Sequence, residues 1–243
     1  MAFNPADYQV FTKERCMSVV LLLDVSYSMD GEKIDRLYDA VTEMLGTFVA
    51  HTKSDEMPYK VAIITFGQTV ECHTRYTDAK LLSNLPRFYA NGSTPLGTAL
   101  RMAKGMIEDR EETPTRWYGP TTILVSDGYP NDSGWEVAMH DFINNGRTSR
   151  RQRISVAIGN DADEEMLKSF ASNAELFFKA DDASKIADIF EKVTRSVEAE
   201  RQHLTNSGPA SMPKPQTSSK PAPRISRRDT VKKNLEEDDD DWN

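Results

Sequence analysis

Three oxygen-bearing side chains follow the first apolar run of the sequence at alternating positions. Residues 18–23 are Ser-Val-Val-Leu-Leu-Leu, and Asp24, Ser26 and Ser28 come directly after them. A run of this length and β-branched content predicts a buried strand of a parallel sheet. Open α/β sheets bind their ligands at the carboxyl ends of such strands. One carboxylate and two hydroxyls form a weakly charged, oxygen-only ligand set, which suits Mg²⁺ or Mn²⁺ better than zinc.

Two later segments offer further oxygen ligands. Thr94 lies in a loop, residues 92–95, that precedes a segment with helical apolar spacing. Asp127 follows a second apolar run, residues 122–126, and is itself followed by a turn glycine. Five oxygen ligands from three loops would leave an octahedral ion one position for water or for an incoming carboxylate.

Together the three segments resemble the metal-ion-dependent adhesion site (MIDAS) of von Willebrand factor type A (VWA) domains. That family has the pattern D-x-S-x-S, then a Thr in a G-x-T loop, then an Asp after a later strand. The resemblance covers roughly residues 15–200. It implies a Rossmann-like fold and a divalent ion, Mg²⁺ with Mn²⁺ or Ca²⁺ as alternatives, to which a protein partner supplies an Asp or Glu. The metal ligands that it implies are Asp24, Ser26, Ser28, Thr94 and Asp127.

Residues 126–135, S-D-G-Y-P-N-D-S-G-W, narrow the resemblance. The run looks like the VWA subgroup of bacterial tellurium-resistance clusters (TerY-like proteins), although Ser133 and Gly134 here separate Asp132 from Trp135. That subgroup implies an intracellular stress or defence module that works with a Ser/Thr kinase and a metal-dependent protein phosphatase. A plainer interpretation is that Asp132 or Ser133 caps the next helix.

The elements that must position these residues alternate between strand and helix. This alternation predicts an α/β fold with a doubly wound, mostly parallel six-stranded sheet that has one short antiparallel edge strand. The three loops should then meet at the point where the strand order reverses. The predicted strands are 17–24, 59–66, 69–73, 121–126, 153–158 and 175–178, and the predicted helices are 33–52, 79–85, 95–112, 133–146, 163–172 and 182–201.

The resemblance and the composition together divide the chain into an extension (1–14), a VWA domain (15–201) and a tail (202–243). The tail has five prolines, few large apolar residues and a terminal acidic run at 236–241, which predicts disorder. Ser226 and Thr230 lie among Lys and Arg, so phosphorylation there stays open, as does docking of the acidic end on a partner.

Charge and targeting signals restrict the function further. The tail carries seven basic and seven acidic residues, so the net charge of −8 belongs to residues 1–201. An acidic domain argues against nucleic-acid binding. The sequence has no signal-peptide pattern, no window that approaches a membrane span and only two cysteines. We therefore expect a cytoplasmic protein that is monomeric on its own.

Two other functions compete with a binding module. The first is a Mg²⁺-dependent phosphoryl-transfer hydrolase with Asp24 as nucleophile. Phosphatases of the dehalogenase type place such an Asp in D-x-D-x-T, but position 26 here is Ser, which cannot act as a general acid at neutral pH. We therefore expect that the protein is not an enzyme. The second is a VWA adaptor of an AAA-type ATPase, which would use the same metal site.

Overall fold

The computed structural model describes residues 15–52 and 57–206. In these two ranges, six strands form one sheet in the order β3-β2-β1-β4-β5-β6. All neighbouring strands are parallel except β2 and β3. The strands are β1 Met17–Asp24, β2 Tyr59–Phe66, β3 Val70–Asp78, β4 Tyr118–Ser126, β5 Arg153–Ile158 and β6 Phe177–Ala180. This confirms the predicted doubly wound sheet with an antiparallel edge strand.

Within the described residues, five α-helices cover the two faces of the sheet. They are α1 Glu32–Thr52, α2 Leu96–Glu108, α3 Trp135–Asn144, α4 Glu164–Phe170 and α5 Ile186–Asn206. Side chains of α1 and α5 share one apolar core with alternate strand residues such as Leu21, while α2, α3 and α4 share the other with residues such as Leu22. Because every residue of β1 is buried, its sequence is a continuous apolar run rather than an alternating one.

The edges of the predicted elements differ from the observed ones for local reasons. The antiparallel strand was predicted at 69–73 but extends over nine residues to Asp78. The helix predicted at 79–85 is only a 3₁₀ turn, Ala79–Leu81, in which Asp78 accepts a hydrogen bond from the Lys80 N–H. The helix predicted at 95–112 ends at Glu108, because the Asp109 carboxylate accepts a hydrogen bond from a backbone N–H two residues later and forms a turn.

The ends of the chain lie mostly outside the described residues. Helix α5 continues to Asn206, so residues 202–206, which were predicted to belong to the tail, are helical. The predicted extension 1–14 and residues 207–243, with Ser226, Thr230 and the acidic run, are not among the residues that the structure describes. No helix of the described ranges is both long and apolar enough to cross a membrane.

The strand order reverses between β1 and β4, which lie side by side at the centre of the sheet. The chain leaves β1 toward β2 and leaves β4 toward β5, so the loops after β1 and β4 diverge and open a crevice at the carboxyl edge. The register pairs Leu23 with Val125. Asp24 therefore lies beside Ser126, and the motif loops face the same crevice.

Candidate metal site

Asp24 ends β1 and is fully buried. Its Oδ1 accepts a hydrogen bond from the Ser26 N–H at 2.9 Å, and its Oδ2 accepts one from the Ser126 hydroxyl at 2.6 Å. In residues 15–52 and 57–206, no Lys, Arg or His forms a salt bridge with Asp24. Burial raises the pKa of Asp24 to about 6, although the hydrogen bonds from Ser126 and Ser26 lower it, and the nearby charge of Asp127 adds to the increase.

The two serines connect the loop after β1 to the loop after β4. Ser26 is buried, whereas Ser28 is exposed in a 3₁₀ turn, Tyr27–Met29. Their hydroxyl oxygens are 3.0 Å apart. The Ser28 hydroxyl donates a hydrogen bond to Asp127 Oδ1 at 2.6 Å. Three of the predicted metal ligands thus form a continuous hydrogen-bonded chain.

Thr94 reaches the same place from the loop before α2. Its side chain is buried, and Asn131 holds its backbone: the Thr94 N–H donates to Asn131 Oδ1, and the Asn131 N–H donates to the Thr94 carbonyl, each at 3.2 Å. A Cβ on Gly128 would lie 3.7 Å from Thr94 Oγ1 and 3.8 Å from Ser28 Oγ. The two hydroxyls therefore both lie within 4 Å of one point beside Gly128, and the fold brings all five predicted residues together.

These donors fit a hard divalent cation. Two carboxylates and three neutral hydroxyls provide only oxygen atoms, as Mg²⁺ and Mn²⁺ prefer. No group of three or more His, Cys, Asp or Glu side chains suited to a metal occurs within the described residues. A cation here would also offset the unfavourable burial of the Asp24 charge. The electrostatics of the site and the oxygen chemistry of its side chains therefore both favour a divalent cation.

Sequence reasoning missed two residues that contact the carboxylates of this set. Ser126 is the hydrogen-bond donor to Asp24; its position directly before Asp127 was the available signal. Lys33 lies in the first turn of α1, and its Nζ is 2.6 Å from Asp127 Oδ2 and 3.1 Å from the Ser28 carbonyl oxygen. No sequence pattern indicated this ion pair, because 94 positions separate Lys33 from Asp127.

Asp132 corrects the plainer interpretation of residues 126–135. It does not cap α3, whose N-cap position is taken by Gly134 without a side-chain bond, nor does Ser133. Its carboxylate instead accepts hydrogen bonds from the N–H groups of Gly97, at 3.0 Å, and Thr98, at 2.8 Å. Asp132 therefore caps α2, the preceding helix, and ties the Thr94 loop to the loop after β4.

Three exposed tyrosines, which we call the tyrosine rim, lie on segments that adjoin the site. Tyr27, Tyr89 and Tyr129 are 72%, 74% and 67% exposed. Tyr27 lies between the two serines of the motif, and Tyr129 lies two residues after Asp127. Tyr89 is two residues before Asn91, whose N–H donates to a carbonyl in the loop after β1. Tyr27 and Tyr129 thus lie on loops that carry predicted ligands, and the segment of Tyr89 is hydrogen-bonded to one of those loops.

The family profile of the von Willebrand factor type A domain matches residues 18–192. This range includes all five predicted ligands and most of the described structure. The chain therefore belongs to the VWA family and carries its MIDAS motif. No curated protein matches the chain.

Solved structures show the same fold at low sequence identity. Proximal thread matrix protein 1 from the mussel byssus is 16% identical, with a TM-score of 0.62, over 74% of this chain and 48% of that chain. A second structure of that protein, described as having a zinc-occupied MIDAS motif, is also 16% identical and has a TM-score of 0.63 over the same shares. This chain thus spans about half the length of these relatives.

A bacterial structure matches over nearly its whole length. The vWF domain of the type V pili tip protein Mfa5 from Porphyromonas gingivalis is 12% identical, with a TM-score of 0.60, over 77% of this chain and 96% of that chain. At these identities the likeness establishes the α/β VWA fold.

Proposed function

We propose that this domain is a protein-binding module that depends on a divalent cation. Asp24, Ser26, Ser28 and Thr94 hold the ion, with Asp127 in support, and an Asp or Glu of a partner fills the remaining position. The observation that carries the proposal is the fully buried Asp24 carboxylate, which has no salt-bridge partner in the described residues and lies where the three motif loops converge. A divalent ion supplies the missing positive charge, and its coordination is completed by a third carboxylate.

The tyrosine rim supports a protein as the partner. Tyrosine is enriched in protein interfaces because its ring buries a large area while its hydroxyl still finds a hydrogen-bond partner. Tyr27, Tyr89 and Tyr129 present such exposed side chains on segments that adjoin the metal position. A partner segment whose carboxylate reaches the ion would bury its neighbouring side chains against these rings.

We propose Mg²⁺ as the physiological ion, with Mn²⁺ and Ca²⁺ as alternatives. Three neutral hydroxyls and two carboxylates suit an octahedral ion that keeps some water, whereas Ca²⁺ usually takes more oxygen ligands. The mussel protein whose MIDAS is described as occupied by zinc has the same fold, so ion identity must be measured on this chain. Competition of each ion against Mn²⁺ in a titration at neutral pH gives the order of affinity.

The narrower setting rests on sequence resemblance alone. We propose a TerY-like protein of a bacterial stress or defence system that works with a Ser/Thr kinase and a protein phosphatase, as residues 126–135 suggest, and we expect it to be cytoplasmic and monomeric on its own. An adaptor of an AAA-type ATPase is the alternative for the same site. Co-purification of a kinase or phosphatase in Mg²⁺ but not in chelator supports the first, and co-purification of an ATPase supports the second.

A phosphatase remains the enzymatic alternative and has its own assay. A nucleophilic Asp24 would need a general acid beside it, yet position 26 is Ser, and both Asp24 oxygens accept hydrogen bonds, from Ser26 and Ser126. We expect no turnover of p-nitrophenyl phosphate in Mg²⁺. Multiple turnovers that are lost in Asp24→Asn would establish the hydrolase instead.

A peptide selection tests the binding proposal without a known partner. A random peptide library is bound to the full chain in Mg²⁺ and eluted with chelator. We expect Asp or Glu in every enriched sequence and no enrichment on Asp24→Ala. Asp141→Ala is the matched control and should enrich the same peptides as the wild type, because Asp141 pairs with Lys104 on α2 and is not a predicted ligand. Enriched peptides without an acidic residue, or peptides retained in chelator, would contradict the proposal.

The tyrosine rim is tested in the same selection. A triple variant, Tyr27→Ser, Tyr89→Ser and Tyr129→Ser, should enrich far fewer peptides while its affinity for Mn²⁺ is unchanged, because these side chains are exposed and none is a predicted ligand. Equal enrichment on the variant would show that the partner does not contact the rim.

A further inference from the structure

Lys33 occupies a position that helix electrostatics disfavours. It is the second residue of α1, near the positive end of the helix dipole, where the neighbouring Glu32 and Asp35 are the expected residue types. Its side chain nevertheless bends to the crevice, where its Nζ donates to Asp127 Oδ2 at 2.6 Å and to the Ser28 carbonyl at 3.1 Å. The Lys33 side chain is 28% exposed and that of Asp127 is fully buried, so the pair is well shielded from water.

The ion pair changes the charge of the whole site. Both oxygens of Asp127 already have donors, Lys33 on one and the Ser28 hydroxyl on the other. Asp24 and Asp127 together carry two negative charges, which a divalent ion alone would cancel. With the ammonium of Lys33 included, the loaded site keeps a net charge of +1.

We propose that Lys33 sets the balance between metal affinity and carboxylate affinity. Its positive charge weakens the binding of the ion by repulsion and by neutralising Asp127. The same charge keeps the loaded site positive, which strengthens its attraction for the carboxylate of a partner. This inference rests on the proposed function, and it assigns Lys33 as a positioning and charge-setting residue rather than a ligand.

The sign of one measurement separates this role from a purely structural one. If Lys33 only held Asp127 in place, its removal would loosen the site and weaken metal binding. If its charge opposes the ion, removal leaves Asp127 with its full charge for the metal, and binding becomes tighter. The Ser28 hydroxyl still holds the other oxygen of Asp127 in both cases.

The experiment is a calorimetric titration of the full chain with Mn²⁺. We expect Lys33→Met, which keeps the length of the side chain without its charge, to lower the Kd for Mn²⁺ by about tenfold, equivalent to about 1.4 kcal/mol. Lys33→Arg, which keeps the charge, should stay close to the wild type. Lys104→Met is the matched control: Lys104 pairs with the more exposed Asp141 at a similar distance, 2.8 Å, between α2 and α3, and its loss should leave the Kd unchanged.

A carboxylate probe completes the test. The affinity of ¹³C-labelled acetate for the Mn²⁺-loaded protein is measured from the paramagnetic relaxation of the label. We expect Lys33→Met to weaken acetate binding several-fold while it tightens Mn²⁺ binding. Unchanged or weaker Mn²⁺ binding by Lys33→Met, or unchanged acetate binding, would overturn the inference.

Two controls keep the outcomes distinct. Far-ultraviolet circular dichroism establishes that each variant is folded, and Lys33→Gln replaces Lys33→Met if the latter does not fold. If the wild type itself fails to bind Mn²⁺, the proposed function fails. If the wild type binds Mn²⁺ and Lys33→Met does not bind it more tightly, only the role of Lys33 fails.

Discussion

The buried charge of Asp24 makes an unusual prediction: in chelator, Asp24→Asn should be more stable than the wild type at neutral pH. Raising the pKa of this carboxyl from 3.8 to about 6 corresponds to about 3 kcal/mol of unfavourable free energy when the group is charged. Asn keeps an acceptor for the Ser26 N–H, and its amide can donate to the Ser126 oxygen. We therefore expect a net gain of about 1–3 kcal/mol in the free energy of unfolding.

The pH dependence follows from the sign of the change. The native carboxyl binds a proton at higher pH than the unfolded one, so the penalty is complete above about pH 6 and decreases as the pH falls. Below pH 3.8 both states are protonated and the penalty has disappeared. The advantage of Asp24→Asn should thus be largest at neutral pH and shrink as the pH falls toward 4.

Metal should reverse the order of stability. At a free Mn²⁺ concentration of about 1,000 times the Kd, the wild type gains about 4.1 kcal/mol, which exceeds the advantage of the variant, whereas the variant, which lacks the carboxylate, gains little. The assay is urea denaturation followed by circular dichroism, in chelator and in Mn²⁺, at neutral pH and near pH 4. Lower stability of Asp24→Asn than of the wild type at neutral pH in chelator, or an advantage that does not change with pH, would refute this reasoning.

Asp141→Asn is the control with the opposite sign. Its hydrogen bond from Lys104 lowers the pKa of Asp141, so this carboxylate contributes stability above its unfolded pKa that is lost as the pH falls. The exposed Asp141 variant should be slightly less stable than the wild type at neutral pH, and the difference should vanish in acid. Mn²⁺ should not affect it.

Three further predictions concern the support of the site. Ser28→Ala should raise the Kd for Mn²⁺ in calorimetry by at least about tenfold, because it removes a predicted ligand and the donor to Asp127, whereas Ser196→Ala on α5 should have no effect. Asp132→Ala should lower the free energy of unfolding in urea by about 1–2 kcal/mol, since the N-terminus of α2 loses its cap; an unchanged midpoint would contradict this. Gly97→Ala should lower the free energy of unfolding by about 1–3 kcal/mol, because its Cβ would lie 2.6 Å from the backbone of α3. Gly105→Ala, in the same helix with open space around it, should raise the free energy of unfolding by about 0.5–1 kcal/mol. Equal effects at both positions would refute the packing account.

Much of the fold could be predicted because its signals are local. Buried strands can be recognised as apolar runs in the sequence. Strands 17–24, 59–66 and 153–158 were predicted with their observed bounds. Element ends were less predictable, because single side-chain bonds set them, as Asp109 does after α2. Asp132 was assigned to the wrong helix for a related reason. An Asp shortly before a helix looks the same in the sequence whether its carboxylate caps that helix or another helix that lies close to it in the fold.

The sequence by itself determined the kinds of side chain in the candidate site and their places at the ends of strands. Asp24, Ser26 and Ser28 could be recognised from their alternate spacing after an apolar run, although β1 ends at Asp24 and Ser28 lies in a 3₁₀ turn. The contacts that give the site its electrostatic character arise only in the tertiary structure.

Those contacts are the bond from Ser126 to Asp24 and the ion pair of Lys33 with Asp127, which join residues about a hundred positions apart. They exist because β1 and β4 are neighbours and because α1 begins above their ends. A linear pattern of residues records which groups are present. The pairing of strands decides which charges meet, and therefore how strongly the site attracts a cation and a carboxylate.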